Sequence, residues 1–389
     1  RSNASKRSLS LYVHVPFCRK ICFYCACNKI ATKNTALAEP YIARLDREMV
    51  LTARHLDTTR PVEQLHWGGG TPTILPPPLI HRLSKAIRSV FPTADDFEFS
   101  VEIDPTMVNR SKIVALAAEG MTRASIGIQD FDPFDITRAC VEDLRAADIT
   151  SLNTDLVYGL PHQTLARLED TIDKVLTFAP DRIALFGYAH VPWVSKRQKL
   201  IDESALPGDL ARYTLATRAA ERFVQAGLAP IGIDHFAAPG DDLAVAHDAG
   251  RLRRNFQGYT ADSCQTLIGL GASSISRFPG GYVQNAPATA AYKQRIAQAI
   301  FPGSRGYEMT ADDHLHARAI ETLMCYFTLD LEDLSRDYGP RAYTLRPCLE
   351  AIETRFKPFA KLVGQRISIL PEGRSLTRII ASMLDQHVP

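Results

Sequence analysis

Four of the chain's eight cysteines, Cys18, Cys22, Cys25 and Cys27, fall on one short stretch, LYVHVPFCRKICFYCACN from Leu11 to Asn28. The first three are spaced C-x3-C-x2-C. Thiolates at that spacing, on a loop leaving a strand, can converge on one side of an iron–sulfur cluster. A four-iron cluster ordinarily takes four thiolates, so three from one loop leave an iron open to bind and activate something else. Zinc competes for the same ligands, but its usual pattern is two separated C-x2-C pairs. No second pair exists, because Cys140, Cys264, Cys325 and Cys348 are scattered. A disulfide knuckle fits poorly in a long chain with few cysteines and no secretory signal. Spacing alone favours iron–sulfur and leaves zinc, redox thiols and a structural role open.

The elements that must carry this loop follow from the hydrophobic pattern. Residues 11–15 are a short apolar run of β-formers, a buried strand ended by Pro16. Helical spacing over 41–54 places Tyr41, Leu45, Met49 and Val50 on one face. Strands are then expected at 62–67, 97–103, 123–128, 152–157 and 182–188, with helices at 76–90, 113–119, 134–147 and 165–178. A helix at 214–226 and a strand at 230–234 follow. Such alternation means βαβ units and a parallel sheet. Active sites of such sheets lie at the carboxyl ends of the strands. Periodicity therefore gathers the cysteine loop, the Gly68-Gly69-Gly70-Thr71 run, Glu102, Gln129 and Asp155 around one mouth. Taken singly, each has a plainer reading: a tight turn for the glycines, a helix cap or surface pair for Glu102.

Tyr24, just before the third cysteine, sharpens the pattern. C-x3-C-x2-C with that aromatic resembles the radical S-adenosylmethionine (SAM) enzymes. LYVHVPFC…CFYCACNK is similar to the oxygen-independent coproporphyrinogen III oxidases, the anaerobic enzymes of haem synthesis. HWGGGTPT, EIDP, GIQDF, DLVYGLP, GYAHVP, GIDHFA, RNFQGYT and GASSIS agree with this. The resemblance runs from about Ser8 to Ile275 and is weaker over the rest.

The resemblance implies an α/β fold: a partial (β/α)6 radical-SAM barrel with a mostly helical C-terminal domain. It implies a [4Fe-4S] cluster on Cys18, Cys22 and Cys25. Tyr12, Gly69, Glu102, Ala189 and Ile275 match contacts of a first SAM. Tyr24, Gly70, Thr71, Gln129 and Asp155 match contacts of a second. Cys27 matches a fourth family cysteine that is not a ligand. Arg254, Phe256 and Gln257 are candidates for engaging the substrate, against the plainer reading of a solvated basic helix end at Arg251–Arg254. The implied reaction splits SAM to a deoxyadenosyl radical and converts two propionates of coproporphyrinogen III to vinyls, giving protoporphyrinogen IX. No catalytic side chain is implied beyond cluster and SAM. His14 and His235 are further candidates for the site, while His66 and His190 read as core or neighbouring residues. After Pro133, where Phe131-Asp132-Pro133 runs straight into Phe134, the chain is shorter than the family pattern, which puts one family arginine contact in doubt. A haem-carrying sister group, or an enzyme acting on haem itself, are the alternatives. The Ala26-Cys27-Asn28-Lys29 tail argues against the haem carrier.

The whole chain sets outer limits. At 389 residues, two domains are expected, a catalytic one over 1–302 and a mostly helical cover over 303–389. Apolar content of 46% and charged content of 23% are those of a globular protein. A net charge of +2 gives no argument for nucleic acid. No run approaches the ~18–20 apolar residues of a membrane span. The expectation is a cytoplasmic monomer, served by an electron-donor protein.

Overall fold

The computed structural model describes residues 8–20, 22, 25, 27–130 and 133–387. The chain divides into two compact units, one from Arg1–Ala226 with Cys264–Tyr307, the other from Gly227–Ser263 with Glu308–Pro389.

At the centre of the first unit lies β1 (Leu9–Val15), buried along its whole length. β1 pairs in parallel with β2 (Val62–Gly69), and β3 (Thr93–Ile103), β4 (Arg123–Gln129), β5 (Ser151–Tyr158) and β6 (Arg182–Gly187) follow in parallel register. These six are the expected barrel strands. On the far side of β1 runs β7 (Leu267–Leu270), also parallel to it. β8 (Ile275–Phe278) and β9 (Gly281–Asn285) continue the sheet antiparallel. The sequence pattern did not announce this flank.

Helices α1 (Ala38–Ala53), α2 (Pro77–Val90), α3 (Arg110–Ala118), α4 (Phe134–Ala146), α5 (Leu165–Leu176) and α6 (Asp209–Gln225) follow the strands in turn. Their apolar stripes are local in origin. α2 opens on prolines, which suit the first turn, and buries Ile80, Leu83 and Ile87. α5 is capped by the Thr164 side chain, which accepts from the Arg167 amide, and buries Leu168, Ile172 and Val175. α1 departs from expectation in one detail. Tyr41, Leu45 and Met49 are buried as expected, but Val50 is 50% exposed. Glu48 takes the inner place instead, with 1% of its surface exposed.

The second unit has its own core of Leu315, Leu323, Leu345, Leu349, Ile352 and Ile367, among others. Helices Ala311–Tyr326, Leu331–Tyr338 and Arg346–Arg355 surround a three-stranded antiparallel sheet. The expected single strand at 230–234 is instead a hairpin, Ala229–Ile231 against His235–Ala237. The basic run is not a helix end either. Arg253–Asn255 pairs with Gly258–Thr260, and Phe256 and Gln257 form the tip. No helix among the described residues is long and apolar enough to cross a membrane.

Candidate active site

Strand alternation builds one face of the first unit's sheet. Successive side chains of a strand point to opposite faces, and parallel register carries one parity across neighbours. Tyr12 stands opposite His66, His66 opposite Ser100, and Glu102 opposite Ser125, which stands opposite Asn153. The intervening Val13, Trp67, Val101 and Ile126 are fully buried. The result is a polar stripe across five strands, on the face that leads to Gly68, Glu102, Gln129 and Asp155 toward their carboxyl ends.

Two hydrogen-bonded groups make up the stripe, one around His66 and Glu102 and one around Asp155. His66 stacks on Tyr12, with rings 5.8 Å apart and nearly parallel. Its Nε2 lies 3.3 Å from Glu102 Oε1 and its Nδ1 2.6 Å from Ser100 Oγ. A carboxylate only accepts, so the Nε2 that faces Glu102 carries a hydrogen. Glu102 Oε2 also accepts from the Gly69 amide at 3.0 Å. The surrounding protein opposes its ionisation, yet the His66 hydrogen bond, the His66 charge and the Gly69 amide hold the carboxyl below its ordinary range. Further along, Ser125 donates to Asp155 at 2.9 Å, and Asn153 Nδ2 donates to both. Gln129 ends β4 at φ +64, where the register with β5 slips by a residue. A non-glycine residue in that conformation is costly and marks functional turns.

The cysteine loop is tied to the glycine run by backbone. Gly70 N donates to Val15 O, and Thr71 N donates to Phe17 O, both at 2.8 Å. A Cβ on Gly70 would sit 2.8 Å from Phe17 O, so only glycine lets these two segments touch. Gly69 takes φ +114, and a Cβ there would strike the His14 ring. His14 in turn donates from Nε2 to Asn28 O at 2.9 Å, and its Nδ1 accepts from Tyr12 Oη at 3.1 Å. Burial pushes its basicity down. The short strand Phe17–Cys18 pairs with Ile30–Ala31, which closes the loop at its base.

All eight cysteines are free thiols. Cys18 is buried at the loop's root and Thr71 Oγ1 lies 3.7 Å from its sulfur. Burial pushes the Cys18 thiol up, and the nearby Cys25 and Cys22 push it further. Cys25 goes the other way: a hydrogen bond with Cys27 pulls it down against burial, and Lys29 adds to the pull. Lys29 Nζ donates to Cys25 O at 2.5 Å. Among the described residues, no three His, Cys, Asp or Glu side chains close on a single metal ion. A four-iron cluster is a larger body than one ion, and three free thiols on one loop, within electrostatic reach of one another, are the donor set it takes.

The remaining expected residues fall as follows. Ala189 is exposed just beyond β6, its carbonyl accepting from Gln198 at 3.1 Å, and Ile275 is half-buried at the start of β8. Neither is the core residue a plain reading would make it. Tyr24 lies outside the described residues. Phe131 and Asp132 lie outside them as well, whereas Pro133 and Phe134, the join at which the chain is expected to be short, are described and open α4. In the second unit, the Arg254 guanidinium lies 5.4 Å over the Tyr259 ring, with Nε buried and unpartnered. Phe256 is 47% exposed at the hairpin tip. His235 donates from Nδ1 to Asp234 at 2.7 Å, and Arg378 holds the other Asp234 oxygen. The stripe includes residues that the sequence did not single out: His66 as a partner of Glu102, and Ser100, Ser125 and Asn153. Period-two counting back from Gly68, Glu102, Gln129 and Asp155 would have found each.

A three-cysteine loop at the carboxyl ends of parallel strands, beside a glycine run and a polar stripe, defines the radical SAM class. The Radical SAM superfamily profile matches residues 12–175. An oxygen-independent coproporphyrinogen III oxidase of Cereibacter sphaeroides is 54% identical, covering 97% of this chain and 86% of its own. The protein of that name from Paracoccus denitrificans is 45% identical, covering 98% and 87%. The solved coproporphyrinogen III oxidase of Escherichia coli, described as a radical SAM enzyme, superposes with a TM-score of 0.94. Its identity is 35%, over 99% of this chain and 91% of that one. The chain belongs to the family of oxygen-independent coproporphyrinogen III oxidases.

Proposed function

We propose that the protein oxidatively decarboxylates two propionates of coproporphyrinogen III to vinyl groups, giving protoporphyrinogen IX. It does so with a [4Fe-4S] cluster and two molecules of SAM. The observation that carries this reading is the likeness to oxidases of that name over 97% of this chain and 86% of the relative, with the cysteine loop intact. When bound, cluster and SAM together supply a radical that removes one hydrogen atom from a substrate propionate. The carboxylate carbon then leaves as carbon dioxide, one electron passes to an acceptor, and a vinyl remains.

The chain's own residues bind and orient. Cys18, Cys22 and Cys25 would hold the cluster. Tyr12, Gly69, Glu102, Ala189 and Ile275 form our proposed first SAM site. Glu102 is kept ionised and already shares the Gly69 amide, so a ligand ammonium or hydroxyl finds a charged acceptor there. Tyr24, Gly70, Thr71, Gln129 and Asp155 form the second, with Asp155 held by Ser125 and Asn153. Cys27 lines the site. Arg254 would meet a substrate carboxylate, beside Phe256 and Gln257, since its stacked guanidinium keeps an unpartnered nitrogen. The assignment of 1–302 to catalysis and of 303–389 to a supporting role, an electron-donor protein, a monomer and a cytoplasmic setting are proposed on the same footing.

The test is direct. Protein reconstituted anaerobically with iron and sulfide is given SAM, a reductant and coproporphyrinogen III. Release of two carbon dioxides per protoporphyrinogen is expected. Absence of carbon dioxide from cluster-loaded protein overturns the proposal.

A further inference from the structure

α1 carries a carboxylate that the site described above does not use. Glu48 is buried to 1% and accepts three hydrogen bonds: Gly271 N at 2.8 Å, Tyr292 Oη at 2.6 Å and Asn285 Nδ2 at 2.6 Å. Asn285 Nδ2 also reaches Gly271 O at 2.9 Å and Ser274 Oγ at 3.0 Å. Two turns of α1 earlier, Tyr41 donates to His14 O at 2.8 Å and accepts from Ala272 N at 3.1 Å. Tyr41, Asn285 and Tyr292 are as deeply buried as Glu48.

Four of these seven bonds land on the turn 271–274, between β7 and β8, at Gly271 N, Gly271 O, Ala272 N and Ser274 Oγ. That turn is not self-supporting. Gly271 takes φ +99 and Ser273 φ +64, and strained backbone persists only where its surroundings over-determine it. A hidden carboxylate is expensive unless its lone pairs are filled. Two apolar side chains could fill the same volume without that cost, but they could not fix two amides and a carbonyl in space. Buried polar groups of this kind set conformation rather than add stability. The residue this turn delivers is Ile275. The same frame holds His14 O, three residues before the cysteine loop opens at Phe17.

We propose that Glu48, with Tyr292, Asn285 and Tyr41, is the positioning group that fixes the 271–274 turn and thereby aligns Ile275 against the first SAM. This rests on the assignment of Ile275 to that site. Glu48 itself touches neither cofactor nor substrate.

The test uses cluster-reconstituted holoenzyme and labelled SAM in equilibrium dialysis, together with the SAM-induced change in the reduced cluster's paramagnetic resonance signal. Glu48→Gln keeps the shape but turns one acceptor into a donor facing donors. It is expected to weaken SAM binding about tenfold and to raise KM for SAM while kcat at saturating SAM stays within about twofold. The resonance change should then need correspondingly more SAM. Tyr292→Phe, which removes one of three donors, should weaken binding about threefold, and serves where Glu48→Gln fails to fold. Ile275→Ala is the control for the site. If Ile275→Ala weakens SAM binding while folded Glu48→Gln and Tyr292→Phe lose only thermal stability, the positioning role is overturned and the SAM site stands. If Ile275→Ala leaves SAM binding unchanged, the SAM assignment of Ile275 fails, and the proposal with it.

Discussion

Two polar clusters of the first unit make an instructive pair. One is the stripe at the strand ends, Tyr12, His66, Ser100, Glu102, Ser125 and Asp155, with the cysteine loop beside it. The other is the bracket of Glu48, Tyr41, Asn285 and Tyr292 behind β7. Both are built around a carboxylate, and both reach the same β1. The bracket is sealed from water and each Glu48 oxygen is filled by protein donors. The stripe is half-exposed, with 42% of the Glu102 side chain open. Their electrostatics diverge accordingly. Burial drives the Glu48 carboxyl up to about 7 against its hydrogen bonds, whereas His66 and the Gly69 amide keep Glu102 down against the partial desolvation of its site. A saturated buried cluster holds a shape. A charged cluster with open surface is poised for a ligand.

The comparison breaks first at the cysteines. Cys18→Ser, Cys22→Ser or Cys25→Ser should each abolish both carbon dioxide release and retention of a SAM-responsive cluster, measured by iron analysis and resonance. Cys27→Ser should retain iron; equal iron loss from all four would show that Cys27 is not merely beside the site.

The bracket should instead be read in stability. Glu48→Ala removes the acceptor from three buried donors and is expected to cost roughly 3 kcal/mol in denaturant unfolding. A cost under about 0.5 kcal/mol, the scale of a surface substitution, would erase the contrast with the stripe. The pH dependence sharpens it. Glu48 moves from an ordinary 4.5 to about 7 on folding. A raised carboxyl contributes stability that is complete below 4.5 and is lost as pH rises to about 7. The stability difference between wild type and Glu48→Gln should therefore shift in the variant's favour over that window, by roughly 3 kcal/mol in all. A flat difference would show that Glu48 does not titrate there.

In the stripe the signs reverse. Glu102→Gln should leave unfolding within about 1 kcal/mol of wild type, yet lower turnover about a hundredfold through misplaced SAM. Smallest is Arg254→Ala in the second unit, expected to raise KM for coproporphyrinogen about tenfold at unchanged SAM affinity. An unchanged KM would return Arg254 to a packing role on Tyr259.

Local pattern made much of this legible in advance. The cysteine spacing, the glycine run and six strand–helix alternations are short-range features, set by thiolate chemistry, by where a Cβ is forbidden and by hydrophobic period. They located β1 to β6 and the residues at their ends. Tertiary structure decided what depends on distant partners. β7 finds β1 across some two-thirds of the chain, and nothing local marks that pairing. Register, not composition, places His66 between Tyr12 and Glu102. On α1 the helical period puts Glu48 on the inner face with Tyr41, Leu45 and Met49, but a carboxylate reads as surface until its donors are known. Gly271, Asn285 and Tyr292 are those donors, and they arrive from more than two hundred residues away because burying a charge requires partners that only the folded chain can assemble.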